Sequence, residues 1–156
     1  MQSLFIEFLR QPSPATYLAV RDALISAPTY APYSSELRDI GELLRQERWE
    51  DAKVAVRAAL PHLLLAPRIH LYLAVIAEKA GDDKAANVER MIAAACVKGI
   101  LATGDGSGSR PYLVTSIADE YLCPCQLAGA DFLRSVGRRG SQGTGRFNFA
   151  HSSMAA

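Results

Sequence analysis

Residues 49–81 read WEDAKVAVRAALPHLLLAPRIHLYLAVIAEKAG, and this stretch decides the fold class. Ala52, Val56, Ala59, Leu60 and Leu63 fall at offsets 0, 4, 7, 8 and 11, and Ile69, Leu73, Ile76, Ala77 and Ala80 repeat those offsets. Each set follows one face of an α-helix. Ala66-Pro67 starts the second helix, in a first turn where the missing proline N–H leaves no bond unmade. Pro61 falls late in the first set, so that helix ends or kinks there.

The pattern extends in both directions. Gln46-Glu47-Arg48 separates the helix at 49 from an earlier one that carries Ile40, Leu43 and Leu44. Gly81-Asp82-Asp83 ends the second helix and caps a third, with Ala85, Val88, Ile92, Cys96 and Ile100 as its expected apolar stripe. Asp82 and Asp83 also place negative charge at a helix N-terminus, where the dipole favours it. Upstream, Leu4, Phe5, Phe8 and Leu9 mark a short first helix. Ser13-Pro14 reads as N-cap and first helical residue of a helix with Tyr17, Val20, Ala23, Leu24 and Ala27 on one stripe, stopped by Pro28. Tyr30-Ala31-Pro32-Tyr33 is an extended connector, and Ser34 or Ser35 caps the next helix.

After Leu101 the character changes. Residues 103–111 form a turn-rich Gly/Ser loop. Residues 112–117 have β propensity, and 119–123 read as a second strand completing a hairpin. The end of the chain is basic and rich in Gly and Ser, with Phe147 and Phe149 in a short final strand. The expected organisation is one domain over 1–156: N-terminal helices in 1–34, two helix hairpins in 35–102, a β hairpin in 103–128 and a basic segment in 129–156. The fold class is mainly α.

The helix-turn-helix arrangement resembles the tetratricopeptide repeat. Gly41 fits the small position of the first repeat's leading helix, and Trp49, Ala52 and Ala59 fit the aromatic and small positions around its second helix. Pro67 fits the proline that opens the next unit, where Ala74, Gly81 and Ala85 play the small parts. Small residues belong at these crossings because a larger Cβ substituent would push the helices apart. Since such arrays usually need about three units, the two ends of the chain are expected to close it.

Over about 4–121 the chain also resembles a bacterial family catalogued as a domain of unknown function. The carriers are Tyr30-Ala31-Pro32-Tyr33, His70 at a helix start, Gly81-Asp82, Gly99-Ile100 leading to Thr103-Gly104-Asp105-Gly106, then Tyr112-Leu113-Val114 and Asp119-Glu120-Tyr121. The resemblance implies a tetratricopeptide-like body with a C-terminal GDG…DEY hairpin, and no particular activity.

Composition narrows function. Charge is balanced, with 17 Lys and Arg against 16 Asp and Glu, so nucleic-acid binding would need a local patch. No run approaches the ~18–20 apolar residues of a membrane span. Residues 1–10 carry Glu7 and no basic leader or cleavage pattern, so a cytoplasmic protein is expected. Cys96, Cys123 and Cys125 make an odd count without zinc-ligand spacing, and neither a disulfide framework nor a metal or other cofactor is expected.

The Gly104-Asp105-Gly106 loop lacks the Lys-Ser/Thr of a phosphate-binding loop and has the wrong order of flanking elements, so it reads as a tight turn. Arg134, Arg138, Arg139 and Arg146 lie in a segment read as solvated rather than nucleic-acid-binding. The leading functional expectation is a protein-interaction module of adaptor, chaperone or toxin-immunity type, with no catalytic residues. A protein or peptide would bind in the helical groove at Arg38, Glu42, Arg45, Tyr72 and Lys79, or at the junction carrying Tyr30, Tyr33, His70, Asp105, Tyr112, Glu120 and Tyr121. The alternative is a small hydrolase or transferase built on His70, Asp105 and Glu120, which requires those side chains to meet.

Overall fold

The structure, a computed structural model, describes residues 1–119 and the backbone of 120 and of 149–150. It is mainly helical: α1 (Gln2–Arg10), α2 (Pro14–Ile25), α3 (Glu36–Arg45), α4 (Trp49–Ala59), α5 (Pro67–Lys79), α6 (Asp83–Leu101) and a short α7 (Ile117–Glu120), with strands β1 (Tyr112–Leu113) and β2 (Phe149–Ala150). Successive long helices pack in pairs, α1 on α2, α3 on α4 and α5 on α6, and α5 also touches α3 and α4.

The helix boundaries follow local chemistry. Ser13 caps α2 through its side chain, which accepts from the Thr16 N–H at 3.1 Å, while the Thr16 hydroxyl accepts from the Ser13 N–H at 3.0 Å. Asp82 caps α6 by accepting from the Ala85 N–H at 2.9 Å. α4 ends at Ala59, two residues before Pro61, and Pro67 opens α5.

Two helices stop in the same way. At the end of α5, Asp82 N–H donates to Ala77 O and Gly81 N–H to Glu78 O, with Gly81 at φ 77°. At the end of α3, Arg48 N–H donates to Leu43 O and Glu47 N–H to Leu44 O, with Glu47 at φ 58°. Both are Schellman turns, which place one residue in the left-handed region. Gly81 adopts it without cost, whereas Glu47 does so against its Cβ. Replacing Glu47→Gly is therefore expected to raise stability by about 0.5–1 kcal/mol in a urea titration. A loss of stability would show that the Glu47 side chain contributes something its conformation conceals.

The core has two main parts. Phe5, Phe8, Tyr17, Val20 and Leu24 of the first two helices pack with Leu65, Cys96, Ile100 and Val114. Leu37, Ile40, Ala52, Val56, Ala59, Ile69 and Ile76 fill the space among α3, α4 and α5. Leu71, Ala93 and Val97 join α5 to α6. Because α5 has neighbours on more than one side, its buried set is Pro67, Ile69, His70, Leu71, Ala74 and Ile76 rather than the single expected stripe. The stripe of α6 is also rotated from expectation. Ala86, Ala93, Cys96, Val97, Gly99 and Ile100 are buried, whereas Val88 is 51% exposed. Small residues allow α6 to approach α5 closely, and that proximity outweighs the larger apolar surface of Val88.

The expected hairpin after residue 111 takes another form. β1 is two residues long and pairs in parallel with β2, in the register Tyr112↔Phe149 and Leu113↔Ala150. Asp119 and Glu120 belong to α7 rather than to a second strand. This turn of helix starts where Ser116 Oγ accepts from the Ala118 N–H, and the Ile117 N–H leaves the segment to donate to Pro32 O at 3.1 Å. A serine hydroxyl suited to a helix start thus overrides the β propensity of the preceding residues. Tyr121, Cys123, Cys125, Phe147 and the four C-terminal arginines lie outside the described residues.

Candidate functional site: the α3–α5 groove

α3 and α5 lie side by side, and the surface between them is concave. Arg38, Gly41, Leu44 and Arg45 of α3 face Arg68, Leu71, Tyr72 and Val75 of α5 across a groove of about 580 Å³. The helical period selects these residues: 38, 41 and 45 lie on one face of α3, and 68, 72 and 75 on one face of α5. Beside it is a hollow of about 430 Å³, lined by Pro32, Tyr33, Leu37, Ile117 and Ala118 and sharing Arg38 and Arg68 with the first. The floor is apolar and the walls are guanidinium-bearing. Neither lining set contains a carboxylate among the described residues.

Gly41 sets the depth of the groove. A Cβ built there would lie 2.7 Å from the Tyr72 hydroxyl oxygen, so the tyrosine lies across the space that a side chain would fill. Burial raises the Tyr72 hydroxyl above its ordinary pKa, with Arg68 and Arg45 opposing. Arg45 pairs with Glu42 one turn away, and Arg38 pairs with its neighbour Asp39 at 3.3 Å. These pairs are exposed and of little energetic weight, so they leave both arginines available to a stronger partner.

The expected groove residues Arg38, Arg45 and Tyr72 therefore line one space, with Glu42 beside Arg45. Lys79 does not join them. Its Nζ lies 5.1 Å from the centroid of the Trp49 ring and ties the end of α5 to the start of α4. Arg68 was not among the expected residues, although its position one helical turn before Tyr72 is a signal that would have found it.

The junction residues are distributed differently. Tyr33 lines the second hollow. Tyr30 has a buried hydroxyl without a hydrogen-bond partner among the described residues, raised in pKa by burial and lowered by Arg21. Tyr112 packs against the first core. Asp105 belongs to the exposed loop, where Oδ1 accepts from the Ser107 N–H at 2.9 Å and Oδ2 lies 3.5 Å from Arg110. Hydrogen bonding to Ser107 holds its carboxyl below the usual range. Gly104 closes that loop: a Cβ there would sit 2.3 Å from Arg110 O and 2.4 Å from Pro111 O, both backbone atoms.

His70 is a core residue. It is 2% exposed, its ring stacks on Phe5 with centroids 6.0 Å apart, and both nitrogens are engaged. Nε2 donates to Leu64 O at 2.9 Å, and Nδ1 meets Glu89 Oε2 at 2.8 Å. The two ring nitrogens are taken by Glu89 of α6 and the Leu64 carbonyl rather than by the expected Asp105, and the Glu120 side chain lies outside the described residues. His70 thus fastens α5 to α6 and to the connection before it. Glu89→Ala, which leaves Nδ1 without its partner, is expected to cost about 1–2 kcal/mol in thermal or urea unfolding. Unchanged stability would mean that solvent replaces the carboxylate without loss.

Two buried polar groups were not anticipated. Arg21 of α2 donates from Nε to Val114 O at 3.3 Å, and so holds the segment after β1 against the N-terminal helices. Asp119 is 1% exposed, and neither oxygen has a hydrogen-bond partner among the described residues. Burial pushes its carboxyl up to about 7, against the opposing pull of Arg68 and the Ser116 amide. The Cys96 thiol is buried and pushed well up by desolvation and by Asp119, which makes it an inert core group.

Among the described residues, no cluster of His, Cys, Asp and Glu is arranged to hold a metal ion, and no helix is long and apolar enough to cross a membrane. No family model, curated protein or solved structure matches the chain.

Proposed function

We propose that the protein is an interaction module whose helices form a short tetratricopeptide-like array, and that the α3–α5 groove receives a segment of a protein partner. The observation that carries this reading is the groove itself, in which an apolar floor is bordered by guanidinium groups from two parallel faces of successive leading helices. The two Schellman turns support the repeat reading. The C-cap residues Gln46 and Ala80 lie 34 residues apart, and the following helices begin at the same distance from them. This spacing equals the tetratricopeptide period. Concave faces of stacked helix hairpins bind extended or helical peptides, because the groove offers apolar contact along its floor and hydrogen-bonding groups along its edges. An adaptor, a chaperone or a toxin-immunity protein would each use such a surface, and the fold does not distinguish among them.

The test is capture of a partner from the native host, scored with groove variants. Arg45→Glu and Tyr72→Ala are expected to lose a partner that wild type retains, while Val88→Glu, on the exposed face of α6, retains it. Circular dichroism of each variant confirms that the fold is intact. A partner kept equally by both groove variants would place the interaction elsewhere.

A further inference from the structure

We propose that the occupant of the groove is an acidic protein segment, and that Asp119 competes with it for Arg68. The proposal rests on the groove being the binding surface, and it names the chemistry of what binds there.

Charge supplies the first argument. The chain as a whole carries a net charge of only +1, yet the groove and its adjoining hollow concentrate Arg38, Arg45 and Arg68 with no lining carboxylate among the described residues. Guanidinium groups present planar pairs of N–H donors matched to carboxylates. The floor formed by Leu44, Leu71 and Val75 supplies apolar contact between those charges. Acidic residues alternating with apolar ones satisfy both surfaces at once. A nucleic acid would satisfy the arginines but leave the aliphatic floor without a stacking partner.

Asp119 supplies the second argument. Ile117 and Ala118 line the hollow that Arg68 shares with the groove, and Asp119, the next residue, is turned inward. The groups acting electrostatically with it are Arg68 of α5, Tyr17 of α2 and Cys96 of α6. Tyr17 and Cys96 are both held neutral by burial, so Arg68 is the charge that responds to it. When Asp119 is ionised it offsets part of the Arg68 charge. When it is protonated, that charge is available to the groove. An anion bound at Arg68 therefore raises the proton affinity of Asp119, and by linkage the acidic segment binds more tightly as pH falls through about 7.

The experiment uses fluorescence anisotropy on the full chain with three labelled, end-blocked peptides of one length, alternating Glu-Leu, Gln-Leu and Lys-Leu, and with a single-stranded oligothymidylate. The Glu-Leu probe is expected to bind about tenfold more tightly than Gln-Leu, the equivalent of about 1.4 kcal/mol, and to weaken with salt. Arg38→Glu and Arg45→Glu should each weaken the Glu-Leu probe about fivefold or more without altering the Gln-Leu probe. Lowering pH from 8 to 6 should tighten the wild type about two- to threefold, and Asp119→Asn should bind at pH 8 as the wild type does at pH 6.

Equal binding of Glu-Leu and Gln-Leu would overturn the acidic occupant while leaving the groove as the site. Tighter binding of the oligothymidylate would replace it with nucleic acid. A pH dependence that persists in Asp119→Asn would remove Asp119 from the competition. Partner capture insensitive to the groove variants would instead overturn the underlying reading of the surface.

Discussion

Gly99→Ala is expected to destabilise the protein by about 3 kcal/mol, although the same change in an exposed helix adds stability. Gly99 lies in α6 against the ring of Tyr17. An added Cβ would stand 2.3 Å from Cδ2, 2.9 Å from Cγ and 3.0 Å from Cε2, inside the contact distance of carbon atoms. The ring has no room to withdraw. Tyr17 is fully buried, its hydroxyl donates to Leu113 O at 2.9 Å, and Phe8 packs edge-on at a centroid distance of 5.8 Å. Relief therefore requires α2 and α6 to separate, which opens the first core.

Urea denaturation measures the effect, and circular dichroism shows whether the variant still folds. Tyr17→Leu is expected to be destabilising alone but to remove most of the further cost of Gly99→Ala, because the two changes share one contact. If Gly99→Ala were as stable as the wild type, the close approach of α2 and α6 would be disproved. Tyr17→Phe, which keeps the ring and removes the bond to Leu113, should cost about 1 kcal/mol and separate the hydroxyl from the packing.

The second large effect is stabilising and depends on pH. Asp119 titrates near 3.8 in an unfolded chain and about 7 in the folded protein, because burial penalises its charged form. Below about pH 4 it is protonated in both states and costs nothing. Between pH 4 and 7 the folded state holds a proton that the unfolded state has released, so its contribution to stability falls as pH rises. Above about pH 7 both states are ionised and the loss is complete, amounting to about 4 kcal/mol. Asp119→Asn removes the titration. The variant should match the wild type near pH 4, exceed it by up to about 4 kcal/mol at pH 8, and show a flatter stability profile between. A variant no more stable than wild type at pH 8 would mean that Asp119 finds compensation when ionised.

The helical body was legible in residues 36–101 because its signals are local. Apolar spacing fixed the buried face of α4, Pro67 the start of α5, Gly81 its end, and Asp82 the cap of α6. Each depends on residues within about one turn of one another, which a linear reading captures. The groove was partly legible for the same reason: Arg38 and Arg45 on α3 and Tyr72 on α5 are placed on their faces by helical period. Arg68 obeys the same period, but it stands in the first turn of α5 beside Pro67, where a cap signal and a face signal fall on the same residues.

The residues after 101 were legible only in their turns. Asp105 bonds its own loop as its sequence implied, but the segment that follows forms two residues of strand and a turn of helix, because its backbone is claimed by distant partners. Leu113 O receives the Tyr17 hydroxyl, Val114 O receives Arg21, and the Ile117 amide reaches Pro32. His70 shows the same limit. Its helix start was evident, whereas Glu89, Leu64 and Phe5 came together only when α5 packed against α6 and α1. The sequence by itself thus determined that residues 36–101 form a helical body and where α5 and α6 begin, since periodicity and capping act over a few residues. Only the tertiary structure decided which faces meet, that Gly99 must be bare for Tyr17, and that Asp119 is buried within electrostatic reach of Arg68, since these depend on contacts between residues far apart in the chain.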